Sequence, residues 1–88
     1  MSYYVYLLIA KNPGVRKSYV GYTNNLKLRL NKHNSNKGAK ATRGYKWLLI
    51  YSKKFNTKSG AMSYEYKLKK NFSLRKKIKE NKFNNEKI

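Results

Sequence analysis

Tyr3-Tyr4-Val5-Tyr6-Leu7-Leu8-Ile9-Ala10 is an unbroken run of aromatic and aliphatic residues near the start of the chain. It is too short for a confident helix and rich in residues that fit a pleated, buried surface, so it is read as a largely buried strand. Asn12-Pro13-Gly14 then turns the chain. Ser18-Tyr19-Val20-Gly21-Tyr22 follows as a second short strand, at a distance that suits an antiparallel hairpin with a longer loop.

Working outward, Thr23, Asn24 and Asn25 are candidate N-caps for a first helix in which Leu26 and Leu30 recur at helical spacing through to His33. From Asn34 to Lys46 the chain is polar, with Gly38 and Gly44 among the cations Lys37, Lys40, Arg43 and Lys46, a composition able to follow a phosphate backbone. Trp47 to Tyr51 reads as a third strand, extending to Phe55. Asn56, Thr57 and Ser59 offer starts for a second helix with an apolar stripe of Ala61, Leu68 and Phe72. A basic helix from Leu74 to Lys79 then fades into a polar tail ending at Ile88, with too few apolar residues to anchor itself firmly. No internal repeat is present. The order strand, strand, helix, strand, helix predicts an α+β fold, a three-stranded antiparallel sheet flanked by helices.

Eighty-eight residues form one core, since a chain this short buries only about 60% of the surface its unfolded form exposes. Twenty-two Lys and Arg against three Asp and Glu give a formal net charge of +19, far more than solubility requires, which points to a polyanionic partner. No apolar run approaches the roughly 20 residues of a spanning helix, and no signal-peptide pattern is seen, so nucleic acid is favoured over a membrane surface and a soluble intracellular protein is expected. The absence of cysteine removes disulfides and cysteine-ligated zinc. Nine Tyr, three Phe and one Trp add flat faces to the positive charge.

Three features could carry chemistry. Glu65 is the one carboxylate outside the basic C-terminal region, and it falls on or beside the stripe of helix two that should face the core. A carboxylate there needs an ion pair with one of the many cations or a metal ion, and both readings are open. Arg29 and His33 form an i, i+4 pair beside Leu26 and Leu30 and could converge on one phosphate, the guanidinium stabilising charge and the imidazole moving a proton. The bland alternative is a structural histidine beside one more surface cation. Tyr4, Tyr6, Tyr19 and Tyr22 lie on adjacent strands, where same-face members can come within reach of one another. A phenol beside a metal-bound water or a cation can have its pKa lowered enough to serve as a base, although tyrosines are also ordinary strand residues. Gly21 inside a strand marks close approach of another group.

Together these residues resemble the GIY-YIG nuclease superfamily. Tyr4-Val5-Tyr6 and Tyr19-Val20-Gly21 resemble its paired motifs. Tyr22-Thr23, Arg29, His33-Asn34, Gly38-Ala39-Lys40-Ala41-Thr42-Arg43, Trp47, Ala61 and Glu65 follow in the expected order, from about Tyr3 to Lys70. The chain is most similar to the small stand-alone members and to the catalytic domain of the Slx-type structure-selective endonuclease, and is expected to be little more than that core. The resemblance implies a catalytic domain over residues 1–72 followed by a basic helix and tail over 73–88. It implies metal-dependent hydrolysis of DNA phosphodiesters, with flapped or branched DNA as a candidate substrate. Glu65 would bind a divalent cation, Mg2+ or Mn2+. Arg29 would hold the scissile phosphate, Tyr6 and Tyr19 would position or deprotonate the attacking water, and His33 would assist proton transfer or phosphate contact.

Lys37, Lys40, Arg43, Lys46 and Lys69 are the expected DNA contacts. The chain departs from the family at Tyr4, which replaces the Gly of the first motif, and at Tyr22, where excision-repair nucleases carry Lys. Asn71 is only a loose match to the late Asn of some relatives. The cysteine-rich zinc module with which the Slx-type enzyme docks its scaffold partner has no counterpart. The competing reading is a nonenzymatic basic nucleic-acid-binding module, which fits size and charge equally well.

Overall fold

The computed structural model describes residues 2–86, with side chains described through residue 81. Strands β1 (Tyr3–Ala10), β2 (Ser18–Thr23) and β3 (Trp47–Phe55) form one antiparallel sheet in the order β2-β1-β3. The central place of β1 accounts for its unbroken apolar sequence. Val5, Tyr6, Leu7 and Leu8 are all buried, because both faces of this strand are covered. The side-chain alternation of a strand sorts them into two half-cores. Val5 and Leu7 pack with Val20, Ala61 and Leu68 on one face, and Tyr6 and Leu8 pack with Trp47, Leu26 and Leu30 on the other.

Three helices complete the fold, α1 (Leu26–Asn34), α2 (Lys58–Lys70) and α3 (Phe72–Glu86). Of the three N-cap candidates for α1, Asn25 takes the role, its Oδ1 accepting from the Leu28 N–H at 3.1 Å. Thr57 caps α2 in the same way, accepting from the Gly60 N–H at 3.1 Å. The α+β expectation holds, with β2 one residue longer than read and β3 reaching Phe55. Among the described residues no helix is long and apolar enough to cross a membrane.

Two expectations need correction. Phe72 does not continue the buried stripe of α2 and is 68% exposed. The chain leaves helical geometry at Asn71 (φ −101°, ψ 86°), which resets the helical phase, so Phe72 opens α3 instead. The last helix is also longer than Leu74 to Lys79, running from Phe72 to Glu86. It starts firmly because Asn71 Oδ1 accepts from the Leu74 N–H at 2.9 Å, and it is anchored because Leu74 and Ile78 pack on the Val5 half-core. The end of the expected tail, residues 87 and 88, lies outside the described residues.

The basic segment between α1 and β3 is pinned rather than free. Asn34 grips Trp47, its Oδ1 accepting from the Trp47 N–H at 2.6 Å. The Trp47 indole N–H donates to the Thr42 carbonyl at 3.0 Å, and the Gly44 N–H donates to Asn36 Oδ1 at 2.8 Å. Lys40–Thr42 forms a 3-10 turn, within which Thr42 is fully buried.

Because Leu68 is fully buried while Phe72 is exposed, Leu68→Ala should cost about 2–5 kcal/mol and Phe72→Ala less than about 0.5 kcal/mol. Urea unfolding of both variants checks this. Equal losses would place Phe72 back in the core.

Candidate active site

β2 and the two helices on opposite faces of the sheet enclose an open cleft of about 560 Å³, whose lining includes Tyr6, Tyr19, Arg29, Lys58 and Glu65. The hairpin register explains how the tyrosines arrive there. Tyr6 pairs with Gly21 and Leu8 with Tyr19, so Tyr6 and Tyr19 are diagonal neighbours on one face, with ring centroids 6.3 Å apart. A Cβ at position 21 would sit 2.5 Å from Tyr6 Oη, so glycine is required for the phenol to lie across β2. Tyr22, opposite Val5, lines the cleft from the other face, and Tyr4 is not among its lining residues.

Helix α1 brings Arg29 to the cleft wall but not His33. The expected convergence of the two on one phosphate is therefore not what the geometry gives. The imidazole is fully buried behind Tyr6, because one turn along α1 carries it under the Lys40–Thr42 turn. Gly38 lies so close that any side chain there would collide with the ring. Tyr6 Oη is 2.8 Å from His33 Nε2, and His33 Nδ1 is 2.9 Å from Thr42 Oγ1.

The protons in this chain can be placed by elimination. The Thr42 hydroxyl donates to the Ala39 carbonyl at 2.8 Å, so its oxygen must accept from His33 Nδ1–H. Burial first, then the Arg29 guanidinium, hold the imidazole below its ordinary value of 6.5, so the ring is neutral near pH 7 and carries a single N–H. That leaves Nε2 as an acceptor and Tyr6 as its donor. The Tyr6 phenol is pushed far up, chiefly by burial and then by Tyr19. Sequence reasoning anticipated a lowered phenol value, and the opposite shift arises because desolvation outweighs the nearby Arg29. The hydroxyl proton is thus committed to His33, leaving the oxygen's lone pairs as the acceptor.

Glu65 stands on α2 with its side chain 15% exposed and its Oε1 2.6 Å from Lys69 Nζ. The ion-pair reading of this carboxylate is therefore realised, and Lys69, one of the expected DNA contacts, is its partner. Lys46 Nζ is likewise engaged with the Asn34 carbonyl at 2.8 Å, whereas Lys37, Lys40 and Arg43 are exposed on the pinned segment. Among the described residues there is no cluster of three or more His, Cys, Asp or Glu. The donor set suits a hard cation that keeps most of its waters, since one carboxylate and phenol oxygens face an open, water-accessible cleft.

Sequence reasoning missed Lys58 and Thr42. Lys58 precedes Glu65 by two helical turns, so the same-face spacing was available as a signal. Thr42 gave no such signal, because its importance comes from a contact between segments distant in sequence.

His33 is the chain's one histidine, so its ring nitrogens can be observed without ambiguity. Nitrogen chemical shifts should report the proton on Nδ1 in the wild type and in Thr42→Ser, and its loss from that site in Thr42→Val. A proton on Nε2 in the wild type would reverse the polarity derived above.

A family model described as the GIY-YIG catalytic domain matches residues 2–81. A UPF0213 protein of Oceanobacillus iheyensis is 47% identical over 68 residues, which cover 76% of each chain. A UPF0213 protein of Staphylococcus haemolyticus is 40% identical over 78 residues, 88% of this chain and 90% of that one. The solution NMR structure of a UPF0213 protein from Bacillus halodurans is also similar, at 38% identity over 88% of this chain and 80% of that one, with a TM-score of 0.48. The chain belongs to the GIY-YIG family, and its relatives there include UPF0213 proteins.

Proposed function

We propose that this protein is a metal-dependent endonuclease that hydrolyses phosphodiester bonds in DNA, with flapped or branched DNA as its substrate form. The observation that carries the reading is the gathering of Tyr6, Tyr19, Arg29 and Glu65 around one cleft, with a buried proton acceptor behind Tyr6. The net charge of +19 supports a polyanionic substrate. The exposed Lys37, Lys40 and Arg43 suit backbone contacts, which position DNA without reading its sequence.

Tyr6 is a neutral phenol in this environment, so it cannot stand as a ready-made base. It can accept a proton only as it gives one up. A water oxygen attacks phosphorus, and its proton passes to Tyr6 Oη while the Tyr6 proton passes to His33 Nε2. The bond from phosphorus to the 3′ oxygen breaks, and that oxygen takes a proton from solvent, leaving a 5′ phosphate and a 3′ hydroxyl. Arg29 stabilises the charge that builds on the phosphoryl oxygens, and Tyr19 holds the water against Tyr6. Glu65 would hold the divalent cation, Mg2+ or Mn2+, whose charge when bound neutralises the scissile phosphate. Lys69 must then release the carboxylate it pairs with, and phosphate is its natural alternative partner.

The Glu65–Lys69 pair is also the observation that favours the second reading, a basic binding module in which the carboxylate is merely satisfied. Single-turnover cleavage with Mg2+ or Mn2+, measured beside equilibrium binding, separates the two. Glu65→Gln should abolish cleavage with binding kept. Arg29→Ala should slow the chemical step by about 10²-fold or more while costing far less affinity. Absence of metal-dependent cleavage on linear, flapped and branched DNA alike would favour the binding module.

A further inference from the structure

The core does not use two of the largest rings in the chain. Tyr66 is 59% exposed and Phe72 is 68% exposed, and neither packs on either half-core. They do not stand apart as isolated surface residues. Both line a groove of about 640 Å³ at the junction of α2 and α3, together with Lys67, Lys70 and Asn71 and with no acidic residue. Lys70 Nζ lies 4.5 Å from the centre of the Tyr66 ring, and Arg75 Cζ lies 5.9 Å from that of Phe72.

This groove shares no lining residue with the cleft, and Arg75 is the link between them. A smaller depression of about 250 Å³ is lined by Ser18, Tyr19, Val20, Lys69 and Arg75. It shares Tyr19 with the cleft, and its Arg75 is the cation beside Phe72. Arg75 is also held in place, its Nη1 donating to the Leu68 carbonyl at 2.8 Å and to the Lys69 carbonyl. Rings and cations thus follow one another from the cleft to the groove, Tyr19 by Lys69 and Arg75, Arg75 by Phe72, and Phe72 by Lys70 and Tyr66.

Exposed rings set among cations match one ligand chemistry. Unpaired bases offer π-faces that stack on aromatic side chains, while their phosphates meet the intervening ammonium and guanidinium groups. A duplex keeps its base faces stacked on one another and presents none to the rings. A second copy of this chain is disfavoured as the occupant by the mutual repulsion of two chains each carrying +19.

We propose that the Tyr66–Phe72 groove binds single-stranded DNA, as the continuation of a strand whose scissile phosphate lies in the cleft. The inference deepens the nuclease reading and rests on it for the cleft's role, but its test needs no hydrolysis. Binding of fluorescent oligothymidylate, and of a duplex of matched length, is measured in EDTA so that nothing is cut. Tyr66→Ser and Phe72→Ser, singly and together, should each weaken single-strand binding by about fivefold or more and leave duplex binding within about twofold. Tyr66→Phe keeps the ring and should bind as the wild type does. Unchanged thermal unfolding midpoints confirm that these exposed positions leave the fold intact. Single-strand affinity untouched by the double variant, or equal losses on single strand and duplex, would overturn the proposal. A protein that cuts no DNA yet shows the selective loss would keep this groove and lose only the nuclease reading.

Discussion

The hydrogen bond from Tyr6 to His33 ties the central strand to α1, and most of the site's geometry follows from it. Tyr6 comes from the central strand, His33 from α1, and the Thr42 that orients His33 from the turn before β3. A buried imidazole and a buried phenol would each be costly without a partner. Here each satisfies the other, and no buried side-chain polar atom among the described residues is left without a partner. Gly21 and Gly38 are the space left for these two rings. The same bond that settles the packing commits the Tyr6 hydroxyl proton to His33.

Around that fixed point, the charges are arranged asymmetrically. Arg29 and Lys58 face the cleft as cations, and Glu65 answers them from α2 with Lys69 beside it. With three acidic residues in the whole chain, placing one on this wall concentrates nearly all the local negative charge where a cation would sit. Lys69 is half exposed while the Glu65 carboxylate is mostly covered, so the carboxylate depends on keeping a cationic partner more than the lysine does.

The burial of β1 was legible because its run from Val5 to Leu8 has no charged residue, whereas its central place in the order β2-β1-β3 and the two half-cores it feeds came only from the structure. Tyr6, Tyr19, Arg29 and Glu65 were legible as a set through the resemblance to the family's motifs, each having a bland alternative on its own, and the structure brings all of them to one cleft. His33 was legible as a position but not as an environment. Its i, i+4 relation to Arg29 suggested a shared phosphate, whereas the turn at Thr42, nine residues on, covers it. Phe72 was misread because helical periodicity was carried through Asn71, where an Asx-type cap restarts the helix. The direction of the Tyr6 shift depends on burial, which no local pattern encodes.

The central claim is that Tyr6 works as a neutral phenol whose proton leaves to a neutral His33. The pH dependence of single-turnover cleavage tests it most directly. Because burial and Arg29 hold the imidazole below its ordinary value of 6.5, the rate should rise as pH climbs through a value below 6.5, where His33 becomes able to accept. It should then stay level from about pH 7 to about pH 9, since the phenol's own ionisation lies far higher. A rate that keeps climbing tenfold per pH unit through that range would mean that hydroxide or a phenolate is the base, and would contradict the account.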